Sequence, residues 1–597
     1  MSDPNLTVEA RIPDALQAAV AEQLARASEQ DVAGRIARED ATLWGAEGTP
    51  EVANRLGWLT IAERMLGELG ALELFAAEAH DDELEDIVLL GMGGSSLAPE
   101  VLRRSFAGSD EHARLHVLDS TDAARIRAIE GAVDLRRTLF VVSSKSGGTI
   151  EPLSLFAHFF SLVEEGNRFV AITDPGSGLE ALAAKHAFRR TFAGDPNIGG
   201  RYSALSAFGV VPGALTGIPV LSLLEGAPSA WRTGLEQETG AGGSGPGGSG
   251  SDGGARDSDS KGSAGDGSDS DSDSKGSAGD GSDSDSDSDS DGLPAAVWLG
   301  AALSGLAQAG RDKLTFVISE TLPGLGLWLE QLVAESTGKH GTGILPVADE
   351  PLGEPSVYGD DRVFAYLPDI HRPDAELELK VQALAQAGHP VFTIPTAGPT
   401  DLGRVFLLAE LAVAVVGWGL QINPFDQPNV QQAKDATNRV LAGYEAQHEL
   451  PEIADADDAA LRALLWDAAP PSYVAIMGYL NPSPAFDAAV AELRETLRAA
   501  TRATTTFGYG PRFLHSTGQF HKGGPRTGRF LQLLHDGPED VEIPGKPFTF
   551  TTLKNAQAIG DFETLRSLDL PAERVRLQGE DPAQALRALT AKIKEML

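Results

Sequence analysis

The sequence predicts an α/β protein with parallel sheets. From Ile87 onward, short apolar segments typical of buried strands alternate with longer segments of helical periodicity. This alternation stops between residues 237 and 292 and resumes after Leu293. Because 597 residues exceed what a single hydrophobic core supports, we expect two three-layer α/β/α domains, one on each side of the interruption.

The predicted strands are short apolar runs, and the predicted helices carry an apolar stripe of helical period. The strands are residues 87–90, 116–118, 138–142, 169–173, 313–319, 362–367, 390–394, 473–477 and 504–507. The helices are residues 14–40, 152–165, 178–186, 327–337, 375–387, 402–418, 430–441, 459–466, 485–499 and 582–597. The expected organisation is therefore an N-terminal helical segment (1–58), a first domain (59–236), an insert (237–292) and a second domain with a helical C-terminus (293–597).

The insert consists mostly of Gly, Ser and Asp, and the segment 258–271 (SDSKGSAGDGSDSD) recurs unchanged at 272–285. It has almost no aliphatic side chain that would offset the entropy of ordering, so we predict a disordered linker. A calcium-binding repeat is the alternative, but the glycine and aliphatic spacing of a calcium β-roll is missing.

The net charge of −38 argues against non-specific binding to nucleic acid or anionic membranes. Residues 251–291 hold thirteen Asp and three basic residues, a net −10, which leaves −28 for the rest. The chain has no cysteine, so disulfides and thiolate metal sites are excluded. No signal peptide is visible and the apolar run 405–420 is too short for a membrane span, so we expect a cytoplasmic protein.

Two loops have the composition of anion-binding sites. Residues 91–97 (GMGGSSL) and 143–149 (SSKSGGT) each follow a predicted strand and precede a helix, whose first N–H groups and dipole favour a bound anion. Taken alone, the first loop is equally well explained as a tight turn. Two such loops at the ends of adjacent parallel strands predict a phosphate site. The candidate ligands are Gly94, Ser95, Ser144, Lys145, Ser146 and Thr149.

A third segment, residues 335–339 (ESTGK), ends an apolar-striped helix. Gln331 and Glu335 are four residues apart, so their side chains share one helix face and can enter one pocket. Glu335 is a candidate general base, and a solvated surface glutamate is the alternative.

Taken together, these segments resemble the phosphoglucose isomerase family. The resemblance rests on residues 91–99 and 144–151, on 199–203 (GGRYS), on 335–339, and on 425–434 (FDQPNVQQAK) with its seven-residue step from Gln427 to Lys434. Residues 40–44 (DATLW) and 513–524 further resemble the isomerase half of bifunctional transaldolase–phosphoglucose isomerases. The first 58 residues are too short for a transaldolase barrel, so we expect a monofunctional isomerase.

The resemblance implies two sugar-isomerase domains, no metal or nucleotide cofactor, a sugar-phosphate substrate, and a homodimer whose active sites draw residues from both subunits. It also implies that Glu335 carries a proton between C2 and C1, that Arg201 stabilises the enediolate and that Lys434 is catalytic. It further implies that Gln331 and Gln427 position the substrate.

His515, in residues 514–519 (LHSTGQ), is the expected ring-opening residue. In the family this motif lies between the glutamate and the FDQ signature, whereas here it follows both. His371 and His521 are therefore the alternatives. A dual-specificity phosphoglucose/phosphomannose isomerase remains an alternative function, with Thr337 as the residue that selects the C2 epimer; a sugar-phosphate-binding regulator on the same fold is a further one.

Overall fold

The computed structural model describes residues 6–106, 112–237 and 293–597. These residues belong to one compact unit. The predicted insert, apart from Gln237, lies outside the described residues, so its disorder stays a prediction, as do the domain boundaries.

The described residues form fifteen strands. In chain order, β1 to β15 are Val8–Arg11, Asp86–Leu90, Arg114–Leu118, Thr138–Ser143, Phe169–Thr173, Arg190–Ala193, Leu235–Gln237, Lys313–Ile318, Leu345–Val347, Arg362–Leu367, Val391–Thr393, Tyr473–Tyr479, Thr504–Tyr509, Gly528–Leu534 and Ala572–Arg576.

The same part of the chain forms nineteen α-helices. In chain order, α1 to α19 are Asp14–Glu29, Val32–Ala37, Ile61–Asp81, Leu97–Ser105, Ala123–Ala132, Ile150–Val163, Gly178–Lys185, Ala207–Leu215, Val220–Gly226, Ala295–Gln308, Leu325–Thr337, Ala375–Gln386, Leu402–Gly419, Val430–Gln447, Asp458–Leu465, Pro484–Thr501, Gly518–Gly523, Phe550–Ser567 and Pro582–Met596. The predicted α/β class with parallel sheets is confirmed.

The first sheet is wholly parallel, with strand order β3-β2-β4-β5-β6. The chain runs from β2 outward to β3 and then returns to β4 on the other side of β2. The strand order therefore reverses between β2 and β4, and the crevice at their carboxyl ends is where ligands bind in open α/β sheets. The two predicted anion loops leave from these ends.

The second sheet has the order β7-β1-β11-β10-β8-β9. Strand β1 comes from the N-terminal segment, which was predicted to be helical, and pairs antiparallel with β11. Strand β1 also pairs with β7, so the two ends of the first half of the chain meet at one edge of this sheet.

The C-terminal part of the chain carries a third sheet, of order β13-β12-β14-β15, which the sequence did not indicate as a separate layer. All its pairings are parallel. Helices α16 and α19 pack together over buried side chains that include Phe486, Leu493 and Leu586. His515 lies between β13 and β14, so this third sheet carries the candidate ring-opening residue.

The apolar segment that contains α13 is a core helix. Residues Pro399–Gly419 are long and apolar enough to cross a membrane, but 94% of their most apolar window is buried within the protein. Helix α13 packs against α10 and α11. Its apolar surface is thus covered by other helices of the same chain.

Candidate active site

A cleft of about 450 Å³ opens at the carboxyl ends of β2 and β4. This volume is in the range of small-molecule sites. All twelve predicted site residues line the cleft: Gly94, Ser95, Ser144, Lys145, Ser146, Thr149, Arg201, Gln331, Glu335, Gln427, Lys434 and His515. We refer to it as the Glu335 cleft. Its lining comes from both halves of the sequence and from the third sheet.

The first anion loop depends on glycine for close packing. Gly93 has a φ of 54°, in the left-handed region that favours glycine. A Cβ on Gly94 would collide with the carbonyl of Gly200, so the loop touches the backbone beside Arg201. Ser95 follows, buried, just before the start of α4. The glycines therefore bring the N-terminus of α4 against the loop that carries Arg201.

The second anion loop turns into α6 through Gly147, whose φ is 66°. The Ser144 hydroxyl donates to the Thr149 hydroxyl over 3.3 Å, and the Gly148 N–H donates to Ser146 Oγ over 3.4 Å. Three hydroxyls and the first turn of α6 thus border one end of the cleft, a suitable environment for phosphate oxygens.

Lys145 lies in the same loop, but its ammonium already has partners. It forms an ion pair with Asp174 and donates to the carbonyl of Asp195 over 3.1 Å. The lysine lines the cleft, yet much of its charge is offset by Asp174. Its part in holding a phosphate is therefore smaller than the composition of the loop indicates.

Helix α11 delivers Gln331 and Glu335 to the cleft from one face, as their spacing predicted. The Glu335 side chain is 5% exposed. Burial raises the pKa of Glu335 above its usual value, and the nearby charges of Arg201 and His515 oppose this rise without cancelling it. A carboxylate whose pKa is shifted toward neutral pH is suited to accept and return a proton.

Arg201 lies beside this carboxylate, with Nη1 at 3.4 Å from Glu335 Oε2. Its Nε donates to the Ser336 hydroxyl at 2.8 Å. Its Nη2 donates to the carbonyls of Pro424 and Asp426 at 2.6 and 2.9 Å. The guanidinium is therefore held in one orientation, with Nη1 toward the cleft.

Gln427 and Lys434 reach the cleft from the segment that follows Pro424. Gln427 Oε1 accepts from Arg201 Nη1 over 3.3 Å. Gln427 lies before α14, which begins at Val430. The seven residues from Gln427 to Lys434 are therefore not one continuous helix, and the two side chains do not lie on one helix face. Lys434 is exposed on the first turns of α14 and lines the cleft.

His515 lines the cleft, whereas its two competitors do not. His371 is exposed in a separate groove beside β10 and β11. His521 is buried against Tyr473, with burial lowering its pKa to about 3. Among the three histidines, His515 is thus the one whose imidazole meets the predicted site.

His515 Nε2 lies 2.9 Å from Glu151 Oε1, and Gln331 Nε2 donates to the His515 carbonyl at 2.8 Å. Burial alone would raise the pKa of Glu151, but the charges of His515 and Lys434 and the hydrogen bond from His515 hold it below its usual value. Glu151 therefore stays ionised and accepts the Nε2 proton. This leaves Nδ1 as the ring nitrogen of His515 that Glu151 does not engage.

Sequence reasoning missed the residues that support the site. Glu151 stands at the start of α6, and its place at the end of the segment 144–151, which carries the resemblance, was the available signal. Ser336 was in the quoted motif, yet its bonds to Arg201 and Tyr202 depend on contacts across more than a hundred residues. Burial raises the pKa of Tyr202 to about 12, so its phenol stays neutral beside Ser336.

Thr337 does not line the Glu335 cleft. Its hydroxyl donates to the Val333 carbonyl at 2.8 Å and accepts from the Ile344 N–H at 3.0 Å. The residue is fully buried. The side chain named above as a selector of the C2 epimer is thus engaged within α11 and the segment after it.

Within the described ranges, no three His, Asp or Glu side chains are grouped so that they could hold a metal ion. The cleft offers hydroxyls, N–H groups, three side-chain amides, three carboxylates, an imidazole and cationic side chains as its chemical groups.

Comparison with known proteins finds similarity to phosphoglucose isomerases. Residues 76–233 match the family model described as phosphoglucose isomerase. They include both anion loops and Arg201.

Curated relatives extend the similarity beyond this segment. A glucose-6-phosphate isomerase of Thermus thermophilus is 27% identical over 441 residues, which cover 66% of this chain and 92% of the relative. A probable glucose-6-phosphate isomerase of Methanococcus maripaludis is 25% identical over 435 residues, covering 64% of this chain and 86% of the relative.

Solved structures support the fold. The crystal structure of a glucose-6-phosphate isomerase from Chlamydia trachomatis matches with a TM-score of 0.52 and 18% identity, covering 74% of this chain and 87% of that one. A hypothetical protein of Thermus thermophilus also matches with a TM-score of 0.52, at 22% identity, covering 73% of this chain and all of that one.

Proposed function

We propose that this chain is a glucose-6-phosphate isomerase, which interconverts glucose 6-phosphate and fructose 6-phosphate with Glu335 as the proton carrier. One observation carries the proposal. The buried Glu335 carboxylate, with Arg201 beside it, opens into the same cleft as two anion loops at the strand-order reversal of the first sheet. The match of residues 76–233 and the curated relatives support it.

The phosphate group binds at the end of the cleft bordered by Ser95, Ser144, Ser146 and Thr149. Hydroxyl donors and the N-termini of α4 and α6 suit a dianion there. Gln331 and Gln427 line the same cleft, where they meet the sugar hydroxyls.

Ring opening is assigned to His515. The C1 hydroxyl of the cyclic sugar must lose a proton, and the ring oxygen must gain one as the C1–O5 bond breaks. The imidazole Nδ1 is the free nitrogen, because Nε2 is engaged by Glu151. The positive charge of Lys434 also lowers the pKa of Glu151.

Isomerisation then proceeds through a cis-enediolate. Glu335 takes the proton from C2, the C2–H electrons form the C1–C2 double bond, and the C1 carbonyl oxygen becomes an oxyanion. Arg201 stabilises that charge through its fixed Nη1. The hydroxyl proton of the C2 oxygen passes to the C1 oxyanion, and Glu335 returns its proton to C1 as the C2 oxygen becomes the ketone.

A homodimer belongs to this proposal through the resemblance alone. One chain supplies all twelve predicted residues. A contribution of residues from a second subunit, which the resemblance implies, stays a prediction.

The test is a coupled assay of the purified full chain with glucose 6-phosphate, fructose 6-phosphate and mannose 6-phosphate. We expect turnover of the first two and not of the third. Absence of turnover with all three would refute the proposal, and turnover of mannose 6-phosphate would favour the dual-specificity alternative.

The proton carrier is tested in the same assay by Glu335→Gln, with exchange of the C2 deuterium of glucose 6-phosphate as the direct readout. We expect exchange and turnover to fall ~10²–10⁴-fold or more, with KM little changed, because the carboxylate acts in the transition state. Exchange at the wild-type rate would exclude Glu335.

Glu330→Gln is the matched control. Glu330 precedes Gln331 on α11 but faces another cavity, and burial, together with Asp349, raises its pKa to about 8. It is therefore already neutral at pH 7, and an amide there preserves both charge and shape.

A further inference from the structure

Two donors meet on one oxygen of Glu151 behind the Glu335 cleft. His515 Nε2 lies 2.9 Å from Glu151 Oε1, and Gln557 Nε2 donates to the same oxygen at 2.7 Å. Glu151 comes from α6 and Gln557 from α18, which packs on α14 and β12. Both side chains are buried, with residue exposures of 3% and 2%.

The orientation of the Gln557 amide is fixed by a third residue. The Thr121 hydroxyl, fully buried in the loop between β3 and α5, donates to Gln557 Oε1 at 2.9 Å. In the reversed orientation the amide oxygen would face the Glu151 carboxylate, placing two acceptors together without water. The hydrogen bonds therefore run in one direction, from Thr121 through Gln557 to Glu151.

A buried carboxylate keeps its charge only when donors compensate for lost hydration. The charged or titratable groups that bear on Glu151 are His515, Lys434 on α14 and Tyr479 at the end of β12. Lys434 is exposed, and Tyr479 has no hydrogen-bond partner among the described residues. Gln557 is thus a neutral, buried side chain that donates directly to the carboxylate.

We infer that Gln557 and Thr121 are positioning residues for ring opening, which hold the Glu151 carboxylate ionised and aimed at His515 so that the imidazole presents Nδ1 to the substrate. This inference rests on the proposed function. It adds a series of hydrogen bonds, Thr121–Gln557–Glu151–His515. Glu151 and His515 take part in the proton transfer of ring opening, and Thr121 and Gln557 fix their geometry. The series crosses from the first sheet to the third-sheet region, so it also couples the position of His515 to the docking of α18.

The first experiment compares Gln557→Met with wild type on two substrates. One is glucose 6-phosphate; the other is its analogue lacking the C4 and C5 hydroxyls, which cannot close a ring. Because second-layer partners of catalytic groups contribute ~10- to 100-fold, we expect kcat for glucose 6-phosphate to fall by that factor, with KM little changed. The open-chain analogue should be turned over at nearly the wild-type rate.

The pH profile gives a readout that a purely structural role would not move. Without the Gln557 donor, Glu151 binds a proton more readily, so the acid limb of kcat for glucose 6-phosphate should shift to higher pH. Gln557→Glu should shift it further, since two buried carboxyls at this distance share a proton.

Thr121→Val and Thr121→Ser form a matched pair. Thr121→Val removes the hydroxyl at nearly constant volume and should reproduce the Gln557→Met effect in weaker form. Thr121→Ser keeps the donor and should restore the wild-type profile.

Gln532→Met controls for loss of a buried glutamine, because Gln532 donates to the carbonyl of Ala558 and does not touch Glu151.

The double variant His515→Ala with Gln557→Met should be no slower on glucose 6-phosphate than His515→Ala alone, because Gln557 acts through His515. The inference is overturned if Gln557→Met and Thr121→Val slow both substrates equally, leave the acid limb in place, or add their full effect to that of His515→Ala. If wild type turns over neither substrate, the proposed function fails instead.

Discussion

Arg201 lies 3.4 Å from Glu335 with both side chains at most 5% exposed, and it also donates to two carbonyls of the turn that carries Gln427. One guanidinium thus joins the proposed base to the substrate-positioning segment. Because its other nitrogens are occupied, Nη1 is aimed at the cleft before substrate binds. Such preorganisation lets the charge act on the transition state without reorganisation at the moment of reaction.

The first prediction concerns Arg201→Lys. A lysine keeps the charge but lacks the planar fork that bonds Ser336 and the two carbonyls together, so we expect kcat to fall ~10²–10³-fold. Affinity for a hydroxamate analogue of the enediolate should fall in parallel. Arg55→Lys, at the rim of the cleft, should have a much smaller effect. Equal losses in both variants would argue against a special role for Arg201.

The second prediction follows from the burial of Glu335, which raises its pKa. The base must be ionised, so kcat/KM should fall as the pH drops through a value above that of an ordinary carboxyl. Arg201→Gln removes an opposing charge and should move this acid limb to higher pH. Rate profiles of both proteins across the acid and neutral range provide the measurement; an acid limb that stays in place would contradict the assignment.

Much of the secondary structure could be predicted because an apolar run or a helical stripe is visible within a few consecutive residues. The strands Phe169–Thr173 and Arg362–Leu367 were predicted with their observed bounds, since each is a continuous apolar run that is buried on both faces. Strand β6 was missed because its residues alternate between half-buried and exposed positions. Strand β1 was missed because it is short and takes its partners from residues 235–237 and 391–393.

The residues of the candidate site that lie in recognisable sequence motifs could be predicted. The two glycine- and hydroxyl-rich loops, predicted to lie at the ends of adjacent parallel strands, line one cleft, and the strands before them, β2 and β4, are neighbours. The hydrogen-bond partners were not predictable, because Glu151 meets His515 from 364 residues away and Gln557 from 406. No local spacing encodes such contacts. The third sheet provides them, and it also explains how His515 reaches the cleft from an unusual place in the sequence.

The third prediction concerns Lys339, the last residue of the ESTGK motif. Its ammonium donates to the Asn423 carbonyl at 2.5 Å and pairs with Asp426 at 2.7 Å, so it holds the turn before Gln427. Burial, followed by the nearby charge of Arg201, lowers the pKa of Lys339 to about 7. The lysine therefore loses its proton, and its ion pair, as the pH rises through neutrality.

We expect KM of the wild-type enzyme to rise above about pH 7 as this turn loosens. Lys339→Met should raise KM on the acid side of neutrality and remove the further rise at higher pH. Lys522→Met, which breaks a buried ion pair with Asp561 outside the cleft, should leave the shape of the KM profile unchanged. Identical profiles for wild type and Lys339→Met would rule out this role.

The fourth prediction concerns stability. Glu350 is buried between Arg362, at 2.8 Å, and Arg498, at 3.5 Å, and it joins the second sheet to the third-sheet region. Burial alone would raise the pKa of Glu350, but the charges of Arg362 and Arg494 lower it to about 2. A carboxyl group whose pKa is lower in the folded than in the unfolded protein stabilises the fold at pH values above its unfolded-state pKa. This stabilisation is lost as the pH falls toward 2.

Glu350→Gln should therefore reduce the free energy of unfolding at pH 7 by about 3–5 kcal/mol, the usual cost of breaking a buried pair. The difference between variant and wild type should shrink by about 3 kcal/mol toward pH 2. Urea unfolding followed across this range measures both quantities. Glu376→Gln, which removes an exposed ion pair with Lys380, should change little. A pH-independent difference would show that Glu350 is not ionised in the folded protein.

The fifth prediction tests whether His515 opens the ring despite its place in the sequence. Opening the pyranose requires one proton removed from the C1 hydroxyl and one delivered to the ring oxygen, whereas an open-chain substrate requires neither. His515→Ala should therefore slow turnover of glucose 6-phosphate by ~10²–10⁴-fold and spare the open-chain analogue described above. Deuterium exchange at C2 of that analogue, which reports the Glu335 step, should also be preserved.

The two histidines outside the cleft are the controls. His371→Ala changes an exposed side chain and should leave both substrates unaffected. His521→Ala removes the partner of the Tyr473 hydroxyl, so it should lower stability while leaving the ratio of the two turnover rates unchanged. If His515→Ala is without effect on either substrate and His371→Ala or His521→Ala slows the cyclic one, then the ring is opened by a residue outside the Glu335 cleft. In that case the motif at residues 514–519 would carry no part of the chemistry, and the Glu151–His515 contact would be purely structural.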